Sequence, residues 1–289
     1  MSAANPEPPT GDQHGPQTPA TGRNLPAAIS IGLGLLAVVA ATLLWWHWGF
    51  ALLIAVALTA GVWEVAGALG LIGLDVNRWP ILIGTPIMVL SAYALGARYG
   101  WAAILAGLTL MTLYVLVRRV SGGVQDYVTD AAGSLFVIGY LPLLGSTWVL
   151  MLAEPEGAQR ILSFMMCVAA ADTGAYLFGS ILGRHHMVPS ISPGKTWEGF
   201  AGGVLTAVLM GVAMAVWVLH SPMWVGALLG LAMSVTAAGG DLVESTIKRD
   251  AGLKDMSHLL PGHGGAMDRL DSMLTSAPVA WLLLYLLLP

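Results

Sequence analysis

The sequence predicts an all-α protein, built as a polytopic bundle of transmembrane helices. Of its 289 residues, 56% are hydrophobic and only 10% are charged, whereas a soluble domain carries about 25% charged residues. The mean hydropathy of +0.76 points the same way. Helices are expected rather than sheets, because a backbone surrounded by hydrocarbon must satisfy its own hydrogen bonds and an open sheet edge cannot.

About nine apolar segments are long enough to cross the roughly 30 Å hydrocarbon layer of a bilayer. Several of them end near tryptophans, such as Trp46 and Trp79, whose amphipathic rings favour the membrane interface. Short loops that hold most of the charges separate the segments. In chain order, the predicted spans cover residues 25–46, 48–70, 80–97, 100–117, 131–152, 160–180, 199–219, 223–243 and 270–288.

The cationic residues predict the orientation of these spans. An amino terminus in the cytoplasm puts all twelve lysines and arginines except Arg98 and Arg160 on the cytoplasmic side, as the positive-inside rule favours. Nine spans then leave the carboxyl terminus outside, and the polar loops 181–198 and 244–269 face the cytoplasm. Residues 1–24 are rich in proline, glycine and polar residues, which predicts a disordered cytoplasmic tail.

Composition also excludes several classes of function. The single Cys167 rules out a disulfide framework and a multi-cysteine metal cluster. The net charge of −4 comes from few charges, and no basic block is long enough to predict nucleic-acid binding. The expected partners are therefore lipids and small anions.

The densest run of charge in the sequence follows the eighth predicted span. If that helix continues, Asp241, Glu244 and Lys248 share one of its faces, at i, i+3 and i+7. Asp268 and Asp271 share a face at the start of the ninth span. Such carboxylates could supply the hard oxygen ligands that Mg²⁺ prefers. A solvated loop that anchors the chain at the cytoplasmic surface is the alternative interpretation.

The order of these residues resembles that of the phosphatidate cytidylyltransferases, also called CDP-diglyceride synthetases. A second stretch from Ala170 to Gly203, which contains AADTGAYLFG and ISPGKTWEGFAGG, is similar to the same family. Ala266 departs from the pattern, where the family has a larger aliphatic residue. The matching positions in the charged loop are Ser245, Ile247, Lys248, Arg249, Lys254, Asp255, Ser257, Leu260, Pro261, His263, Gly264, Gly265, Asp268, Arg269 and Asp271.

The resemblance implies the reaction of CTP with phosphatidate to give CDP-diacylglycerol and diphosphate, in phospholipid biosynthesis. It implies a homodimeric enzyme of the cell membrane that uses Mg²⁺, with Mn²⁺ as an alternative and a second, monovalent cation left open. The lipid phosphate is itself a nucleophile, so a metal-assisted in-line attack needs no covalent enzyme intermediate. Residues 25–130 then form the N-terminal transmembrane helices, and residues 131–289 form the catalytic transmembrane region.

The resemblance and the charge pattern together predict the residues of the site. A carboxylate within an apolar span, such as Asp172, is costly unless it faces a polar cavity or a partner. Asp241 and Asp268 are expected to share one Mg²⁺. The predicted catalytic residues are Asp241, Lys248, Asp268 and Asp271, of which Asp241, Asp268 and Asp271 are predicted metal ligands. The predicted substrate-binding residues are Asp172, Ser192, Lys195, Ser245, Arg249, Lys254, Asp255, His263, Gly264, Gly265 and Arg269.

Other interpretations compete with this one. A CTP-using lipid kinase would transfer the γ-phosphoryl group, and a transporter would use intramembrane carboxylates as an ion path. The long charged motif argues against the kinase, and a pore does not need a phosphate-binding loop outside the hydrocarbon. The segment from Gly194 to Thr196 is not a P-loop, because Pro189 occupies the position of the required first glycine. For Glu64, His185 and His186, a structural or solvated role is predicted.

Overall fold

The computed structural model describes residues 25–121, 126–257, 259 and 264–288. The predicted tail over residues 1–24 and the predicted site residue His263 therefore lie outside the described residues. The helices are α1 (Leu25–Trp45), α2 (His47–Leu71), α3 (Arg78–Ser121), α4 (Tyr127–Ile138), α5 (Leu144–Ala153), α6 (Gly157–Leu182), α7 (Trp197–Trp217), α8 (Met223–Asp250) and α9 (Met267–Leu287). A π-helical turn, Gly139–Leu143, joins α4 to α5.

The predicted all-α class is confirmed. Within the described chain, seven helical stretches are long and apolar enough to cross a membrane, and α4 and α5 together make one of them. Helix α1 is also apolar, but its described apolar part is shorter. Helices occupy all nine predicted segments to within a few residues. The number of membrane crossings and the orientation of the two termini stay predictions.

Helix α3 holds two of the predicted spans and is broken between them. Gly96 has φ 70° and ψ −178°, a backbone conformation that glycine adopts readily because it has no Cβ. On either side of this break, Gly84 faces the side chain of Met111, and Gly107 faces that of Met88. The two halves of α3 therefore run antiparallel and pack against each other as a hairpin.

Helices α6, α7 and α8 approach one another closely through small residues. Gly211 of α7 lies against Gly226 of α8, and Gly230 of α8 lies against the backbone of Ala207. Nearer the start of α7, Gly203 lies against Ala171 and Ala175 of α6. Small residues are typical of membrane helix interfaces, where van der Waals packing must replace a hydrophobic driving force. The three helices thus form one closely packed block.

The predicted polar loop 181–198 contains a small β-hairpin. Strand β1 (His186–Val188) pairs antiparallel with β2 (Ser192–Thr196). At its base, the Glu198 carboxylate accepts hydrogen bonds from the backbone N–H groups of Arg184 and His185 and contacts the His185 ring. The Thr196 hydroxyl caps α7 by accepting from Gly199 N at 3.1 Å. His185 therefore has a structural contact, in line with the role predicted for it.

Candidate active site

A cavity of about 700 Å³ lies between the interior of α6 and α8 and the amino-terminal turns of α7 and α9, with the β-hairpin on one side. Its walls combine small residues of α6 and α7 with charged side chains of α8, α9 and β2. Seven residues that the sequence predicted as site residues line it. They are Asp172, Ser192, Lys195, Asp241, Asp268, Arg269 and Asp271.

An ion pair joins the β-hairpin to α8 across this cavity. Lys195 Nζ lies 2.8 Å from Asp241 Oδ2 and 3.4 Å from the carbonyl oxygen of Ala238, to which it donates. The other carboxylate oxygen, Asp241 Oδ1, accepts from the Ser245 hydroxyl at 3.1 Å. The two charged side chains are only partly buried, so an anion or cation that enters the cavity can reach both groups.

Lys248 forms the most buried ionic contact of the site. Its Nζ lies 2.6 Å from Glu244 Oε2 and 2.9 Å from Asp268 Oδ1, and it links α8 to α9. The Lys248 side chain is 15% exposed and that of Glu244 is 0% exposed. This contact differs from the predicted one, in which Lys248 holds a phosphate, because the ammonium is engaged by two carboxylates.

Asp268 organises the end of the loop that leads into α9. Its Oδ2 accepts hydrogen bonds from Gly265 N at 2.7 Å and from Met256 N at 3.1 Å, while Oδ1 contacts Lys248. Both of its oxygens therefore have partners within the protein. This arrangement differs from the expected pairing of Asp268 with Asp241 around one metal ion.

Three other carboxylates do converge. Oxygens of Asp241, Glu244 and Asp271 all lie within 4.8 Å of one another. Among the described residues, Glu244 Oε1 is buried and has no hydrogen-bond partner. Three carboxylates this close repel one another unless a cation or a proton intervenes, and hard oxygen donors are the ligands that Mg²⁺ prefers. The donor set therefore fits a divalent cation.

Glu244 is the residue that the predicted metal site omitted. The i, i+3 spacing that puts it on the same helical face as Asp241 was visible in the sequence. What the sequence could not show is which carboxylate of α9 faces that pair. The structure brings Asp271 to it and directs Asp268 towards Lys248 instead.

Glu64 of α2 also contacts the loop that leads into α9. Its Oε1 accepts from the Ser257 hydroxyl and from Ala266 N, at 2.5 and 3.0 Å, and its Oε2 accepts from Met267 N at 2.8 Å. The residue is 5% exposed. A carboxylate is favourable at this position, because the first N–H groups of a helix lack intrahelical partners and carry a partial positive charge.

Four other predicted site residues do not line the cavity: Arg249, Lys254, Asp255 and Gly264. Arg249 donates through Nε to the carbonyl oxygen of Ile191 at 3.3 Å and thereby links α8 to the turn of the hairpin. Lys254 and Asp255 are exposed in the loop after α8. Gly264 has φ 81° and lies beside Asp268.

Comparison with known proteins gives concordant matches. The family model described as "Cytidylyltransferase family" matches residues 26–287. A protein of Mycobacterium leprae named "Phosphatidate cytidylyltransferase" is 39% identical over 282 residues, which cover 93% of this chain and 90% of that protein. One of Mycobacterium bovis with the same name is 37% identical over 280 residues, which cover 94% and 92%. One of Synechocystis, again with that name, is 39% identical over 207 residues, which cover 62% and 69%.

The contacts of Lys248 predict a structural effect of its removal. Lys248→Met leaves Glu244 and Asp268 buried without their cation, and removing one partner of a buried ion pair costs about 3–5 kcal/mol. We expect a clear fall in the thermal midpoint of the purified protein in detergent. Lys254→Met is the matched control, because Lys254 is exposed and should change stability by less than about 0.5 kcal/mol. Normal stability of Lys248→Met with lost CTP binding would instead support the phosphate-binding role.

The contacts of Glu64 predict that it orders the loop before α9. In Glu64→Gln, an amide group replaces one acceptor oxygen and the charge at the helix terminus is lost, at a cost of about 1–3 kcal/mol. Limited proteolysis should cut the segment 251–266 faster than in the parent protein. Glu156→Gln, at an exposed carboxylate outside this site, should leave the cleavage rate unchanged. Equal rates for both variants would contradict the role of Glu64.

Proposed function

The chain belongs to the cytidylyltransferase family, and on that premise we propose that it transfers cytidylate from CTP to phosphatidate, giving CDP-diacylglycerol and diphosphate. Family membership makes it a nucleotidyltransferase of phospholipid synthesis. The proposed substrates are those that the name of its relatives implies, and that name is shared by proteins that match over 93% and 94% of this chain.

One observation carries the proposal. The 700 Å³ cavity brings cationic groups and carboxylates of the cluster together among apolar helices. One substrate of the proposed reaction is soluble and the other is a membrane lipid. A site for both must therefore combine phosphate-binding charge with a position among membrane-type helices, and this cavity has both features.

The residues suited to hold Mg²⁺ are Asp241, Glu244 and Asp271. Their oxygens are close enough to act on a single cation, and Mn²⁺ accepts the same donor set. When bound, the cation would offset the negative charge of the triphosphate and make the α-phosphorus a better electrophile. Asp268 is assigned a supporting role, because its two oxygens already accept from Lys248 and from backbone N–H groups.

Lys195 and Arg269 line the cavity and are suited to bind the phosphate groups. Lys195 forms an ion pair with Asp241, so an entering phosphate competes for the ammonium with a carboxylate. A phosphatidate oxygen then attacks the α-phosphorus in line, and the bond from that phosphorus to the diphosphate oxygen breaks. The protein aligns the two substrates and compensates charge, and no side-chain nucleophile is needed.

We further propose that the chain crosses the cell membrane nine times, with the amino terminus and the active site at the cytoplasmic side. The distribution of lysine and arginine residues supports this orientation. The hairpin of α3 supports counting its two halves as separate spans. A homodimer is proposed from the family resemblance alone.

Purified protein in detergent tests the reaction directly. With phosphatidate, Mg²⁺ and CTP labelled on the α-phosphorus, the label should appear in the lipid product after thin-layer separation. A lipid kinase would leave this label in CDP. A transporter would give no turnover without closed vesicles, so either result would contradict the proposal.

The Mg²⁺ dependence of activity can distinguish the proposed roles of Asp271 and Asp268. Asp271→Asn should raise the Mg²⁺ concentration needed for half-maximal activity by about tenfold or more. Even a change in a residue that only contacts a metal ligand lowers metal affinity roughly 10–100-fold. High Mg²⁺ should restore part of the activity by mass action. Asp268→Asn should mainly lower the thermal midpoint. If Asp268→Asn shifts the Mg²⁺ dependence while Asp271→Asn does not, the assignment of the two residues is reversed.

A further inference from the structure

A second large cavity, of about 810 Å³, lies where α2 ends and α3 begins. It shares no lining residue with the cavity of the candidate active site. It lies towards the same end of the bundle, because Gly70 on its wall is six residues, or about 9 Å of helix, beyond Glu64. Glu64 itself contacts the active-site loop. The charged and polar side chains on its walls are those of Asp75, Asn77, Arg78 and Arg118.

Arg78 is stacked and yet leaves its donors unused. Its guanidinium carbon lies 4.1 Å from the ring centroid of Trp63 and 5.9 Å from that of Trp79. Stacking occupies the flat faces of a guanidinium and leaves the N–H groups at its edge available. Within the described part of the chain, no oxygen accepts a hydrogen bond from this half-buried side chain. A fork of donors held in this way matches a phosphate group.

The loop that forms the floor of the cavity is fixed by α4. Asp75 N donates to Asp130 Oδ1 at 2.8 Å, and Asn77 N donates to the Ser134 hydroxyl at 3.1 Å. These contacts hold the backbone on either side of Val76, which is buried. The cavity is thus a built feature of the fold and not a gap beside a free loop.

The charges on the cavity wall favour an anion. Arg118, from the returning half of α3, adds a second guanidinium, and it has no carboxylate partner in the described residues. The one carboxylate on the wall belongs to Asp75. Among the lining residues, two arginines and one aspartate give a formal excess of one positive charge; Asp130, which contacts the floor loop, does not line the cavity.

The rim of the cavity is apolar and exposed. Leu71, the last residue of α2, is 65% exposed, and Ile72, which follows it, is 43% exposed. The stacked Trp63 and Trp79 are also exposed at their outer faces, as tryptophans at a membrane interface are. A ligand that combines a phosphate with hydrocarbon matches both parts of this surface.

We propose that this cavity is a second lipid site, which binds the phosphate headgroup of an anionic phospholipid while the acyl chains lie over the apolar rim. Basic pockets between helices on the cytoplasmic side suit such headgroups. Arginines that only set the membrane orientation would need neither the contact with two indoles nor the fixed loop. This cavity is separate from the candidate active site, so its ligand need not be a substrate of the reaction.

The test titrates the purified full-length protein in detergent with phosphatidylglycerol and counts bound lipids by native mass spectrometry, with phosphatidylcholine as the zwitterionic reference. Arg78→Gln should weaken phosphatidylglycerol binding roughly tenfold, because a charge-assisted pair is lost. Arg78→Lys should also weaken it, since lysine keeps the charge but loses the planar fork. Arg98→Gln is the matched control, because Arg98 also stacks, 5.3 Å from the Tyr99 centroid, but does not line the cavity.

Equal effects of Arg78→Gln and Arg98→Gln would show that only net charge matters and would overturn the proposal. So would phosphatidylglycerol binding that neither change affects. Displacement of phosphatidylglycerol by an equal concentration of inorganic phosphate would identify a site for free anions and would overturn the assignment to a lipid. If Arg78→Gln fails to fold, Arg78→Lys decides alone, and binding equal to that of the parent protein overturns the proposal.

Discussion

The structure of the site depends on one buried ammonium group. Lys248 lies between Glu244 of α8 and Asp268 of α9, and without it two carboxylates would face each other in a region from which water is largely excluded. One ammonium cannot neutralise two carboxylates fully, and Asp241 and Asp271 bring further negative charge to the same place. The residual charge favours a divalent cation. The contacts of Lys248 thus join the two helices and leave a net negative charge among the carboxylates.

Two carboxylates from different helices each accept hydrogen bonds from different backbone N–H groups near the start of α9. Asp268 accepts from residues 256 and 265, and Glu64 accepts from residues 266 and 267. The division matters because Glu64 belongs to α2, far away in the sequence. The N-terminal helices therefore contribute to the active site without lining its cavity, by fixing the loop that aims the side chains of α9.

Local patterns in the sequence, together with the resemblance to a known family, were enough to predict the helices and the charged residues that line the cavity. Hydropathy reveals the spans because the bilayer sets one length for all of them, and the charged motif and the resemblance together pointed to Lys195 as a cation near the bound phosphates and to Asp241 as a metal ligand. Contacts between distant residues were not predictable. Glu64 accepts a hydrogen bond from Ala266 N, 202 positions away in the sequence. A period of 3.6 residues cannot say which of Asp268 and Asp271 contacts Lys248 and which lies beside Asp241 and Glu244. The β-hairpin also escaped prediction, since SPGKT shows no strand alternation.

The glycine contacts between α7 and α8 mean that a substitution far from the candidate active site can change its geometry. Gly226 touches the backbone of Gly211, and a side chain there would push the two helices apart. Gly226 precedes Asp241 by fifteen residues of one helix, about 22 Å, and Lys195 approaches Asp241 from the hairpin that leads into α7. A substitution near the start of α8 would thus misalign an ion pair about four helical turns away. Loss of activity can therefore originate at a helix contact that is remote from every reacting group.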